Sequence, residues 1–207
     1  SENVQGFVSV AVAHREPARS DYLDSPQSTP LRPERLLDVE AGTKVRGENW
    51  ALGATLYNMQ YTDQLAATGQ LNDVGNVVRV NVKDSYRRGL ELEAGIQATP
   101  ELRFEANATF SQNKIAQFDE TIYDYDGAYD YANIVAHENT DLALSPNVVA
   151  MGMAILEAPE DSKLSGLSFS IIAKHVGRQF LDNTSNEQRA LDAFTTLDAV
   201  VRAETTL

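Results

Sequence analysis

The 207-residue sequence contains no cysteine, which excludes both a disulfide framework and a thiolate metal site. No stretch approaches the roughly 20 consecutive apolar residues that a membrane helix requires, so membrane-spanning helices are excluded. Positive charge is scarce: 17 basic residues stand against 30 acidic ones, for a formal net charge of -13. Such a surface repels a polyanion, and nucleic acid is a poor partner for it. Signatures of catalysis are missing as well. The three histidines, His14, His137 and His175, lie far apart without metal-ligand spacing, and there is no G-x-S-x-G or phosphate-loop motif. The sequence therefore reads as non-enzymatic, with no cofactor. Its opening, SENVQGFVSVAVAH, lacks the basic start, apolar run and cleavage site of a signal peptide, so the expectation is a chain that begins inside a longer parent.

What the sequence does have is alternation. In SYRRGLELEAGIQATPELRFEANATF, Leu90, Leu92, Ala94 and Ile96 fall on one face, with Glu91, Glu93, Gly95 and Gln97 on the other. After the short ATPE, Leu102, Phe104, Ala106, Ala108 and Phe110 alternate with Arg103, Glu105, Asn107 and Thr109. Strand side chains point to opposite faces with period two, so each arm reads as a strand with one apolar and one polar side.

Eight such segments are expected, at 4–13, 36–46, 50–62, 85–98, 102–115, 141–157, 164–177 and 191–203. Several exceed the roughly five or six residues of a typical soluble strand and suit a tilted strand that crosses a bilayer in about 9 to 11. A mean hydropathy of -0.32 is compatible with membrane strands, whose hydrophobicity alternates.

The connections alternate long and short: 15–35, then 47–49, 63–84, 99–101, 116–140, 158–163 and 177–190. An all-β antiparallel up-and-down meander segregates them to opposite ends, as in outer-membrane barrels with short periplasmic turns and longer outer loops. Two segments fit the faces less neatly. In 50–62, Trp50, Leu52 and Leu56 are expected on the inner face, and 148–156 is apolar on both sides. Inner apolar residues call for something to pack against.

Several phrases resemble the barrel of TonB-dependent outer-membrane receptors, particularly the Bacteroidetes type and its iron-complex branch. They include AHREPARSDY (13–22), LRPERLLDVEAG (31–42), LYNMQYTDQLAATGQLNDVG (56–75), NVKDSYRRGLELEA (81–94), ANATFSQNKI (106–115), LSPNVVA (144–150) and KHVGRQFLDNTSNEQRALDAF (174–194). The resemblance implies about eight strands of a 22-stranded transmembrane β-barrel, embedded in outer-membrane lipid. It further implies uptake of a scarce ligand such as a ferric siderophore, powered by the TonB complex through a plug region. Residues 1–207 would form one partial barrel domain, with plug, TonB box and final strands absent from this chain. Two rivals stand beside this reading: a soluble β-sandwich that binds glycans or acts as an adhesin, and a complete eight-stranded barrel.

Candidate ligand contacts lie in the long connections. His14 is a candidate haem contact, and Arg15 and Arg19 could grip an anionic siderophore through guanidinium forks. Tyr123, Tyr125, Tyr129 and Tyr131 in FDETIYDYDGAYDYAN could stack on a sugar or an aromatic chelate. In the same stretch Asp124, Asp126 and Asp130 flank Gly127, but no distal bidentate Glu completes a calcium loop. Arg32 and Arg35 are expected to fix the loop-to-strand junction. Asn183 in LDNTSNEQR matches a glycosylation acceptor only formally.

Overall fold

A computed structural model describes residues 3–24, 30–72, 74–123 and 132–204. Nine strands form one antiparallel sheet: β1 (Val4–Arg15), β2 (Glu34–Arg46), β3 (Trp50–Leu71), β4 (Val77–Gln97), β5 (Leu102–Tyr123), β6 (Ala132–Asp141), β7 (Val148–Glu157), β8 (Leu167–Val176) and β11 (Phe194–Ala203). Helix α1 (Arg19–Asp24) lies between β1 and β2. A small ribbon of β9 (Gln179–Phe180) and β10 (Ala190–Leu191) lies between β8 and β11.

The strands follow one another in chain order along the sheet, apart from β6, which flanks β5 above β7. This is the expected meander. The sheet ends at β1 and β11, which do not pair, so it is not a closed eight-stranded barrel. A sandwich needs a second packed sheet, and the described residues supply only the two-stranded ribbon.

The register sorts side chains without ambiguity. One face carries Val4, Val8, Val10 and Val12 of β1, Leu37, Val39, Ala41 and Val45 of β2, and Trp50, Leu52, Ala54 and Leu56 of β3. It continues through Leu90, Leu92, Ala94 and Ile96, then Leu102, Phe104, Ala106, Ala108 and Phe110, then Val148, Ala150, Gly152, Ala154 and Leu156. Leu167, Phe169, Ile171 and Ala173 of β8 and Leu197, Ala199 and Val201 of β11 complete it. No charge interrupts this band on any of the eight strands.

The pairing corrects one expectation. Trp50, Leu52 and Leu56 oppose Ile96, Ala94 and Leu90, so they belong to the apolar face and need no inner partner. β7 does remain apolar on both sides.

The opposite face carries Asp38, Glu40, Lys44, Arg87, Glu91, Glu93, Arg103, Glu105, Lys174 and Asp198. Two of its glycines make room for rings. A Cβ on Gly42 would meet the Phe7 ring at 2.5 Å, and one on Gly89 would meet the Phe110 carbonyl at 2.4 Å and the Tyr57 hydroxyl at 2.7 Å.

The upper edge of the apolar band slides against the pairing. Leu37 opposes Gln60, yet the apolar column of β3 ends four residues earlier at Leu56. Val148 accepts a hydrogen bond from Gly177, yet the column of β8 ends four residues earlier at Ala173. Both slips have the same sense. A drift near one residue per strand, at about 3.3 Å along and 4.8 Å across, corresponds to strands tilted roughly 35–40°.

Two expected loops are largely strand. Most of the segment 63–84 is a β3–β4 ladder paired as far as Leu71 and Val77, and β5 and β6 extend the pairing through much of 116–140. The expected strand 141–157 is instead two. From β6 to β7, seven residues (141 to 148) span four on β5 (114 to 110), and the chain leaves the ladder between them. Asp63 and Asn139 adopt left-handed φ values of 54° and 53° in these extensions, a conformation that short polar Asp and Asn side chains tolerate. Past these bends the period-two order of faces no longer continues from the wall, and a dry core forms from Ala66, Val82, Ile115, Phe118 and Leu142.

Candidate functional site

Above the apolar band the loops and strand extensions form a cap, which is the candidate ligand-facing region. The first loop is fastened to it from one side. Glu34 accepts hydrogen bonds from Arg15 and from the Leu65 backbone N–H, both at 3.0 Å. The buried Asp21 of α1 accepts from the Ala18 backbone at 2.8 Å and pairs with Arg79 of β4 at 3.2 Å. Asn81 accepts from the Arg32 N–H at 2.7 Å and donates to the Arg32 and Asp63 carbonyls.

The connection between β8 and β11 closes over the cap from elsewhere in the sheet. Asn183, only 2% exposed, donates to the Ala67 carbonyl at 2.7 Å and accepts from the Ala143 N–H at 2.8 Å. One side chain thus fastens three separate segments. Ser185 accepts from the Asp141 N–H at 2.7 Å and donates to its carboxylate at 3.1 Å, while Lys114 pairs with that carboxylate at 2.9 Å. Arg189 bridges Glu120 at 2.6 Å and Asp182 at 2.9 Å, and Glu120 also pairs with His137 at 2.9 Å.

Electrostatics follows from these contacts. Hydrogen bonds to Glu120 and then Asp182 raise the Arg189 guanidinium further above its usual value. Burial pushes the Asp182 carboxyl up, but hydrogen bonds from Thr184 and Arg189 outweigh it and hold it below the ordinary carboxylate value. The Arg189–Asp182 pair is therefore charged at neutral pH.

The expected contact residues do not gather. His14 lies on the apolar face directly above Val12, opposite Arg35, while Arg15 points to the other face and is occupied by Glu34. Arg19 opens α1 and is exposed. Tyr123 ends β5. Tyr125, Tyr129 and Tyr131, with Asp124, Asp126 and Asp130, lie outside the described residues. Among the described residues no group of three or more carboxylate or imidazole ligands converges on a metal-sized site.

Sequence reading missed Asn183, Glu120, Asp182 and Arg189. The signal was present in DNTSN, where Asp182 accepts from Thr184, Thr184 from Asn186, and Asn186 from Gln188. Such runs of short polar side chains build consecutive local turns.

A meander with one charge-free apolar face, one mixed-charge face, short turns at one end and a folded cap at the other defines the wall of an outer-membrane β-barrel. The comparisons name the family. The model described as "TonB dependent receptor-like, beta-barrel" matches residues 1–205, and the chain belongs to that family of Gram-negative outer-membrane proteins. No curated protein matches the sequence.

Solved structures with the same fold include the copper transporter OprC, at TM-score 0.71 and 16% identity over 98% of this chain and 29% of that one. The siderophore receptor PiuA of Acinetobacter baumannii aligns at TM-score 0.68 and 15% identity, over 100% of this chain and 28% of that one. The ferric yersiniabactin receptor FyuA of Yersinia pestis aligns at 0.65 and 15%, over 97% and 27%. At these identities the likeness establishes fold alone, and the chain spans less than a third of each neighbour.

Proposed function

We propose that this chain is part of the barrel wall of a receptor that takes up a scarce ligand, most specifically a ferric siderophore or other iron complex, through TonB-dependent transport. The observation that carries the proposal is the apolar band unbroken by charge across eight successive strands, backed by a mixed-charge face. In this reading the band meets outer-membrane lipid. The charged face lines a lumen that a plug region fills, and β7 offers that region an apolar strip of Met151, Met153 and Ile155. The plug region would also carry the coupling to the TonB complex.

The preference for iron complexes draws on the phrases that resemble that branch and on the siderophore receptors among the structural neighbours. Tyr123, Tyr125, Tyr129 and Tyr131, with Arg15 and Arg19, are the proposed outer contacts for an anionic, aromatic chelate. Uptake of radiolabelled ferric siderophores by cells with and without the intact receptor tests the proposal. Growth and uptake that respond to a glycan or cobalamin but to no iron complex would overturn the ligand class.

A further inference from the structure

Above the wall β6 pairs with β5 alone, and its second edge meets no strand among the described residues. The connection that closes over the cap reaches only the base of that edge, where Ser185 accepts from the Asp141 N–H. Asn139, with its φ of 53°, ends the straight run. Residues 133–138 are left, roughly 20 Å of open edge and the length of an ordinary strand.

Exposed edges are normally guarded against pairing with another chain by lysine, proline or a bulge. This one reads NIVAHE, without lysine or proline, and its Ile134 and Val135 are 70% and 39% exposed. In an antiparallel ladder alternate residues turn both N–H and C=O away from their partner strand. The edge therefore offers about three of each to an incoming chain.

The side chains beside it say what that chain carries. One face of the β5–β6 ribbon holds Gln117 and Asp119 with Ile134, Ala136 and Glu138, all exposed. Glu120, Asp141 and Asp182 elsewhere in the cap are paired with cations. Asp119 and Glu138 have no ion-pair partner among the described residues, and Asp119 meets only the Gln117 amide at 3.4 Å. Ala136, directly opposite Asp119, leaves that acid open to a long side chain arriving from the free edge. On the other face the residue beside the edge is the apolar Val135.

We infer that this edge takes up an extended cationic polypeptide segment as an added strand, its alternate lysine or arginine side chains on Glu138 and Asp119 and its intervening apolar ones on Val135. Main-chain hydrogen bonds supply the affinity of such an addition, and alternate side chains supply its selectivity. This rests on the reading of the capped end as the outer, solvent-facing side.

The test titrates the intact receptor in detergent with a short fluorescent peptide of alternating lysine and valine, read by anisotropy. Beside it run an alternating glutamate–valine peptide and two N-methylated forms of the parent, one blocked at the lysine amides and one at the valine amides. The parent is expected to bind and the glutamate peptide to fail. A strand edge uses the N–H of every second residue, so one methylated form should bind like the parent and the other about tenfold more weakly or worse. Asp119→Asn combined with Glu138→Gln should weaken the parent about tenfold, the scale of two exposed ion pairs, and Ala136→Lys should weaken it as well. Absence of parent binding, equal binding by the two methylated forms, binding of the glutamate peptide, or no response to the double substitution would overturn the inference. Heat-modifiable gel migration reports the folding of each variant. Siderophore uptake reports the receptor reading separately, so peptide binding absent with uptake intact sinks the inference alone.

Discussion

The same strands follow different physics above and below the bends at Asp63 and Asn139. Below, in the wall, β1 is exposed along its whole length and both Leu52 and Leu56 are more than half exposed. Above, in the cap, Ile115 and Phe118 are essentially without solvent contact. The wall is a ladder of backbone hydrogen bonds whose apolar side chains need an outside medium to cover them. The cap covers its own, as a soluble domain does. One polypeptide therefore has two sources of stability, and perturbations should separate them.

The largest separation is expected from Phe118→Ala, which empties the centre of the cap core and should cost the cap about 3–5 kcal/mol. Limited proteolysis should then cut within 177–193, with barrel migration on gels unchanged. Loss of the barrel along with the cap would show that the two regions are one cooperative unit. The reverse experiment is Leu92→Arg, a charge placed amid the apolar band. It should cost about 2–4 kcal/mol of folding in lipid, whereas Glu93→Gln on the opposite face should change little. Equal effects of the two substitutions would remove the assignment of faces.

Asn183→Ala sharpens the comparison within the cap. It strands the Ala67 carbonyl and the Ala143 N–H, at about 1–3 kcal/mol for each buried unpaired group that water cannot reach. Amide exchange should rise at Ala143 and around 177–193 but not in β4 below Tyr86. The smallest effect concerns acid. Asp182 titrates below the ordinary value of 3.8, so its contribution is present above that pH and is lost as pH falls through the lower folded value. The cap should loosen in that range before the wall does, and Asp182→Asn should abolish this acid step.

Most of the wall was legible in the sequence because period-two alternation persists wherever one face is uniformly apolar. Both ends of β2 and β8, and the far end of β7 at Glu157, lie within a few residues of expectation for that reason. Legibility failed at three kinds of place. Trp50, Leu52 and Leu56 were assigned to the wrong face because the Gly47–Asn49 turn sets the phase of β3, and phase across a turn is fixed by pairing rather than by either strand alone. The extensions of β3 to β6 read as loops because Asp63 and Asn139 interrupt the alternation and polar residues dominate beyond them. The cap ties stayed hidden because Asn183 meets Ala67 across 116 positions, a proximity created only when the β8–β11 connection folds back. Of the expected contacts, Arg15 has a defined place at a loop root, while His14 stands at the boundary row with Arg35.

The slide of the apolar edge has a consequence for bore width. A barrel built from hairpins that each drift by about the same amount keeps its strand inclination when a hairpin is added or removed, because drift and circumference grow together. Only the diameter changes. Grafting extra hairpins that carry this average drift into such a wall would therefore widen the pore without changing the thickness of membrane it spans.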